Sequence, residues 1–272
     1  MIIKKIIHNA LNKLNLKNKC VCVHSSLKSF GDEIEGGAET IINAFLENAC
    51  TLIVPTFSYE FLIQPPENLQ YKRNGYDYSK SENSQNNEKI FTPDTNEISK
   101  DEMGIIPYTV LRIKERVRGN HPVCSFSGIG PFASEIIKTQ QPMDAFAPLR
   151  ELALFKGYVL LIGVGLNKMT ALHLAEQMAG RNMFIRWSLN SEKKPITVEC
   201  GGCSEGFNKL DEYLIDIDKK VIVGKSLWRL FPLDILLKRA ARVIQLKKEI
   251  THCDNKNCIR CNDMIAGGPI LN

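Results

Sequence analysis

The 272-residue chain has no apolar run near the roughly 20 residues that a membrane-spanning helix needs, which excludes a helical membrane protein. Its first stretch, MIIKKIIHNALNKLNL, also lacks the continuous apolar core and cleavage site of a secretory leader. Ile2, Ile3, Ile6, Ile7, Ala10, Leu11 and Leu14 instead fall on one stripe at helical spacing with lysines opposite, so an amphipathic first helix of a cytoplasmic protein is expected. There is no dense basic run, and no aromatics interleave with basic residues, which speaks against nucleic acid as a partner. The net charge of +5 is modest and suits an anionic small molecule. No internal repeat is found, so the chain is not a solenoid.

What is present is ordinary in bulk, 44 % apolar and 24 % charged, and long enough for one large α/β domain, alone or with a small appendage. Nine cysteines in a cytoplasmic chain point to reduced thiols or a metal rather than to disulfides. CVCVH at 20–24 reads as a buried strand, Gly36, Gly37 and Ala38 open a helix, and TLIVPTF at 51–57 is the next strand. That βαβ unit predicts a parallel pair. The turn after the first strand and the helix start beyond it, with free amides, hydroxyls and a positive dipole end, can hold a phosphate.

Residues 59–102 are polar and aperiodic, with SKSENSQNNEK at 79–89, and read as a lid or a mobile insertion. A helix over 103–117 follows, with Pro107 in its first turn. RGNHPVCSFSGIG at 118–130 then clusters a basic residue, an imidazole and serines at a strand entrance, a setting for an anion or an amide-rich ligand. Further on, 196–199 and 221–223 read as strands, and 207–217 and 233–246 as helices.

The chemistry is placed at 157–180, GYVLLIGVGLNKMTALHLAEQMAG. Residues 158–164 are an apolar, β-branched run, and Gly163 and Gly165 end it. Thr170 is the expected N-cap of a helix on which His173 and Glu176, three residues apart, share a face. A strand feeding a helix through a glycine turn is a common way to present a base at the end of a sheet.

VHSSLKSFG (23–31), GGA (36–38), VPTFS (54–58), MGIIP (103–107), HPVCSF (121–126), APLR (147–150) and LLIGVGLNKMTALHLAE (160–176) occur in an order that resembles the aminoglycoside 3-N-acetyltransferase family across about residues 1–245. The resemblance implies an α/β/α sandwich around a central mixed sheet, and direct transfer of an acyl group from acyl-CoA to a sugar amine. It implies His173 as the base that deprotonates the amine and Glu176 as its orienting partner. No covalent acyl-enzyme is required, so Cys124 is read as a buried small residue rather than a nucleophile. Carried over by position, Ser25, Ser26, Gly36, Gly37 and Ala38 would bind pantetheine and pyrophosphate. Arg118, His121, Ser125 and Phe126 would line the rest of the CoA channel, with Thr170 beside the thioester. A homodimer is a fair expectation.

Two features depart from the family. Aminoglycosides are polycations and call for a carboxylate-rich cleft, whereas this chain is net basic. The expected acceptor is therefore an amino sugar on a nucleoside diphosphate, for surface-polysaccharide synthesis; the alternative is an aminoglycoside, making the protein a resistance factor. The second departure is Cys200-Gly-Gly-Cys203 followed by His252, Cys253, Cys258 and Cys261 in a tail. Short paired spacings across a long excursion are a zinc pattern, read here as Cys203, Cys253, Cys258 and Cys261, with Cys200 competing for the first place. The expected organisation is an N-acyltransferase domain at 1–248 and a cysteine-rich tail at 249–272 docked on it by structural zinc.

Overall fold

A computed structural model describes residues 1–79 and 88–271 of the chain. The strands are β1 (Cys20–Ser25), β2 (Thr51–Pro55), β3 (Val117–Arg118), β4 (Phe126–Ile129), β5 (Tyr158–Ile162), β6 (Phe184–Leu189), β7 (Pro195–Cys200), β8 (Lys219–Val223) and β9 (Ser226–Pro232). The helices are α1 (Lys4–Lys13), α2 (Gly37–Glu47), α3 (Lys100–Met103), α4 (Ile105–Val110), α5 (Ala133–Ile137), α6 (Ala147–Leu154), α7 (Ala171–Met178), α8 (Asp211–Leu214), α9 (Leu233–Leu246) and α10 (Ile259–Ile265).

Seven strands form one mixed sheet in the order β3-β4-β2-β1-β5-β9-β8. At its centre β1 runs parallel to both β2 and β5, as a βαβ unit requires, while the outer pairings are antiparallel. The period-2 pleat sorts the central side chains cleanly. Val21, Val23, Leu160 and Ile162 pack with α1, α2 and α4 on one face, and Cys20, Cys22, Val159 and Leu161 pack with α5, α6, α7 and α9 on the other. Burial on both faces is why these strands read as continuous apolar runs, and it produces the three-layer, mixed-sheet α/β architecture expected from the sequence. Among the described residues no helix is long and apolar enough to cross a membrane.

Several elements differ from expectation. The helix expected over 103–117 breaks at Gly104, which adopts φ +82° between α3 and α4, and the chain is in turns before β3 begins at Val117. The segment expected to be helical from 207 is mostly a 3-10 turn, Glu205–Leu210, with only the short α8 behind it. β6 was missed. It pairs antiparallel with β7 as a separate hairpin, Phe184 opposite Cys200.

The described parts of 59–102 are not a loose insertion. Asn74 brackets Ile185, its amide donating to the carbonyl at 3.0 Å and its Oδ1 accepting from the backbone N–H at 2.8 Å. Trp187 Nε1 donates to the Leu69 carbonyl at 2.9 Å, Arg73 Nε to the Gly268 carbonyl at 2.7 Å, and the Gly75 amide to Asp263 Oδ2 at 2.7 Å. The segment therefore straps the hairpin to the C-terminal tail. The centre of the polar run at 79–89, residues 80–87, lies outside the described residues.

Candidate active site

β1 and β5 end side by side, His24 opposite Leu161 and Ser25 opposite Ile162, and the chain leaves both strands at the same edge. The Ser26 amide donates to the Ile162 carbonyl at 2.9 Å, tying the two departing turns together. Gly163 sits at φ +63°, and a Cβ there would meet Ser29 Oγ at 1.9 Å, so only glycine fits this crossing.

Two cavities open beyond this edge. The first, about 410 Å³, is lined by Ser25, Ser26, Lys28, Pro55 and residues 101–105, among others. The second, about 390 Å³, lies over the start of α7 and contains His173. Phe57, Glu102, Met103, Lys168 and Thr170 line both.

Thr170 does not cap α7. It has helical φ and ψ of −57° and −28°, and its side chain makes no capping bond. It stands instead where the two cavities adjoin.

His173 is held on every side. Its Nδ1 lies 2.9 Å from Glu176 Oε2, as the i,i+3 spacing allows. An ionised carboxylate only accepts, so Nδ1 carries the hydrogen and Nε2 keeps its lone pair for the cavity. Phe146 stacks on the ring at 6.1 Å and Phe207 meets it edge-on at 4.8 Å. The Gly201 backbone closes the fourth side, where a Cβ would fall 2.5 Å from His173 Cδ2.

Sequence reasoning missed the third member of this array. Arg181 donates to Glu176 Oε1 at 2.6 Å, and also to Thr251 Oγ1 and the Lys248 carbonyl, both at 2.7 Å. Glu176 and Arg181 are 1 % and 6 % exposed, so the pair is an interior one. Arg181 supplies the countercharge to the buried carboxylate that bonds the imidazole.

Of the residues expected to bind CoA, Ser25, Ser26 and Thr170 line the first cavity. Gly36, Gly37 and Ala38 do not. Gly36 adopts φ +71° in the αL region ahead of α2, away from the lining. Arg118, His121, Ser125 and Phe126 also require correction, because all four are interior. Arg118 spends its donors on Ser125 Oγ, Ser58 Oγ and the Thr56, Thr95 and Glu97 carbonyls, fastening 95–97 to the sheet. His121 bonds the Glu199 carbonyl through Nε2 at 2.8 Å, while its Nδ1 accepts from the Val123 and Cys124 amides. Burial pulls this imidazole down to about 4, and His24 likewise. Phe126 is a core side chain, edge-on to Phe57 at 5.8 Å.

The cysteines divide into two sets. Cys124 Sγ lies 3.2 Å from Cys200 Sγ, both buried, and the Cys200 hydrogen bond and burial push the Cys124 thiol well up. Neither belongs to the tail cluster. The Sγ atoms of Cys203, Cys253, Cys258 and Cys261 all lie within 4.8 Å of one another. A tetrahedral Zn–S distance of about 2.3 Å would set S···S near about 3.8 Å, so this donor set fits the ion with a small contraction.

Compared with known proteins, residues 22–245 match the family model for aminoglycoside 3-N-acetyltransferase. The chain belongs to that family. The aminoglycoside N(3)-acetyltransferase IX of Micromonospora chalcea is 31 % identical over 188 residues, covering 64 % of this chain and 61 % of the relative. The SPbeta prophage-derived aminoglycoside N(3')-acetyltransferase-like protein YokD of Bacillus subtilis is 32 % identical over 183 residues, 64 % of each chain. The matched region thus spans less than two thirds of these relatives' own length. The crystal structure of the aminoglycoside acetyltransferase AAC(3)-IVa apoenzyme superimposes with a TM-score of 0.77 over 98 % of this chain and 97 % of its own, at 24 % identity, a likeness of fold. Both of these relatives are named for aminoglycosides, and neither for a nucleotide-linked sugar.

Proposed function

We propose that this aminoglycoside 3-N-acetyltransferase family member moves an acetyl group from acetyl-CoA to the amine of an amino sugar. The observation that carries the reading is the His173 imidazole, its Nδ1 fixed by a buried Glu176–Arg181 pair and its Nε2 free, in a cavity that adjoins a second one. The first cavity takes the thioester arm of acetyl-CoA, with Ser25, Ser26, Lys28 and Lys168 toward its phosphates and Thr170 beside the carbonyl. The second takes the acceptor.

His173 Nε2 removes a proton as the acceptor nitrogen forms a bond to the acyl carbon. The C–S bond then breaks, and the imidazolium returns the proton to the departing thiolate, giving amide and free CoA. Glu176 steadies the imidazolium and Arg181 steadies Glu176. Cys124, neutral and occupied with Cys200, takes no part. The relatives' names support an aminoglycoside amine as acceptor, ahead of a nucleotide-linked sugar, and resistance would be the consequence of acetylating such a drug.

For the tail we propose a structural zinc on Cys203, Cys253, Cys258 and Cys261, docking 249–272 onto a transferase domain at 1–248. A cytoplasmic location completes the reading. The test is thiol release from acetyl-CoA with an aminoglycoside panel. His173→Ala should lower kcat by about 100- to 10,000-fold with CoA affinity retained, and an unaltered kcat would move the base elsewhere.

A further inference from the structure

The cavity that holds His173 is lined by Lys168, Arg186 and Arg260 but by a single carboxylate, Glu102. These cations arrive from three separate segments: the turn after β5, strand β6 and tail helix α10. Neither arginine has a carboxylate partner among the described residues. Among the described residues Arg186 donates to the Asn74 and Ile185 carbonyls, through one terminal nitrogen, and its plane lies over Tyr76 and Phe184. Burial pulls its guanidinium below the ordinary value, and the charge of Arg260 pulls the same way. Arg260 is exposed, and its stem passes Gly75 of the strap, where a Cβ would come within 3.1 Å of its Cγ.

The other nearby carboxylates are spoken for. Glu199 accepts from the Ala145 amide and from Gln177, and Asp144 pairs with Arg150. With Lys168 turned to the coenzyme A phosphates, a polycation entering this cavity still meets two guanidiniums against the one carboxylate of Glu102. An amine that also carries an oxyanion meets two unpaired guanidiniums suited to bidentate recognition.

We infer that the acceptor of this chain is an amino sugar bearing a phosphate or carboxylate, held by Arg186 and Arg260, so that the cysteine-rich tail supplies an acceptor-specificity residue. This rests on the acyl-transfer reading and departs from the acceptor that the relatives' names carry.

The test is calorimetric titration of the full-length, metal-replete protein, with saturating coenzyme A filling the first cavity. Glucosamine, glucosamine 6-phosphate, muramic acid and gentamicin are the probes. Either anionic sugar should bind roughly 10- to 100-fold more tightly than glucosamine. Arg186→Gln and Arg260→Gln should each remove most of that gain without altering coenzyme A affinity, and Arg260→Lys should keep part of it. A gain with glucosamine 6-phosphate alone identifies phosphate as the oxyanion, and a gain with muramic acid alone identifies carboxylate. The absence of any gain, or gentamicin binding more tightly than both anionic sugars, overturns the inference. Thiol release with the same probes separates the two levels of argument. Acetylation of gentamicin in preference to the anionic sugars sinks the acceptor class and leaves acyl transfer standing. Anion binding with no acyl transfer to any amine does the reverse.

Discussion

Replacing Arg181 by Met removes the only Lys or Arg bonded to Glu176 among the described residues and leaves a carboxylate that is 1 % exposed beside the imidazole. For a surface pair the loss would be about 0–1 kcal/mol. Here both partners are interior, and removing one member of a buried pair strands the other charge, a cost of about 3–5 kcal/mol. At about 2–4 °C per kcal/mol for a chain approaching this size, the melting temperature should fall by roughly 10 °C. The double variant Arg181→Met/Glu176→Gln should regain at least half of that loss, since no bare charge remains and the Gln oxygen still accepts from His173 Nδ1. Urea denaturation followed by circular dichroism measures both. In thiol release, Arg181→Met should lose kcat while KM for acetyl-CoA changes little, because Arg181 lines neither cavity. The reasoning fails if Arg181→Met costs under about 1 kcal/mol or if the double variant is no more stable than the single.

Gly201→Ala should push the His173 ring out of place, since the new methyl would sit 2.5 Å from Cδ2 and 2.8 Å from Nε2. A displacement near 1 Å costs on the order of 100-fold in rate, to be read as kcat with coenzyme A affinity unchanged; a wild-type kcat would refute it. Stability should rise between pH 4.5 and 6.5. His24 and His121, held at about 4, leave the unfolded chain with two more bound protons there, while Glu199, raised to about 7 by burial, gives the folded chain one more. The net difference of one proton predicts a slope of about 1.4 kcal/mol per pH unit, and Glu199→Gln should steepen it, both measurable by urea midpoints across that range. Cys203→Ser should abolish stoichiometric zinc and expose the tail to protease, whereas Cys200→Ser should do neither. Equal loss in both variants would remove the four-cysteine assignment.

What the sequence made legible was local. The apolar runs at 20–24, 51–57 and 158–164 could only be central strands, and the His173–Glu176 contact follows from three residues of helix. Arg181 was illegible because its partners, Thr251 and the Lys248 carbonyl, lie about 70 residues away and sequence spacing carries no sign of them. Arg118, His121 and Ser125 were misread for a related reason. A polar cluster at a strand entrance looks alike whether it faces a channel or satisfies buried carbonyls, and only the fold distinguishes these. Cys200 and Cys203 are equivalent in spacing, yet Cys200 ends β7 facing Cys124, and the two glycines after it turn Cys203 toward the tail.

The tail meets the chemistry at two points, which gives its cysteine cluster a consequence beyond docking. Thr251 of the tail, next to the Lys248 carbonyl at the end of the domain, holds the far side of Arg181, and Cys253 follows Thr251 by two residues. On the other side of the cluster Arg260 stands between Cys258 and Cys261 and lines the cavity that holds His173. A metal joining these cysteines would therefore fix a countercharge behind His173 and a cation in front of it. Stripping it from the folded protein should lower kcat and weaken the acceptor while leaving coenzyme A in place, because Ser25, Ser26 and Lys28 belong to the sheet edge and not to the tail.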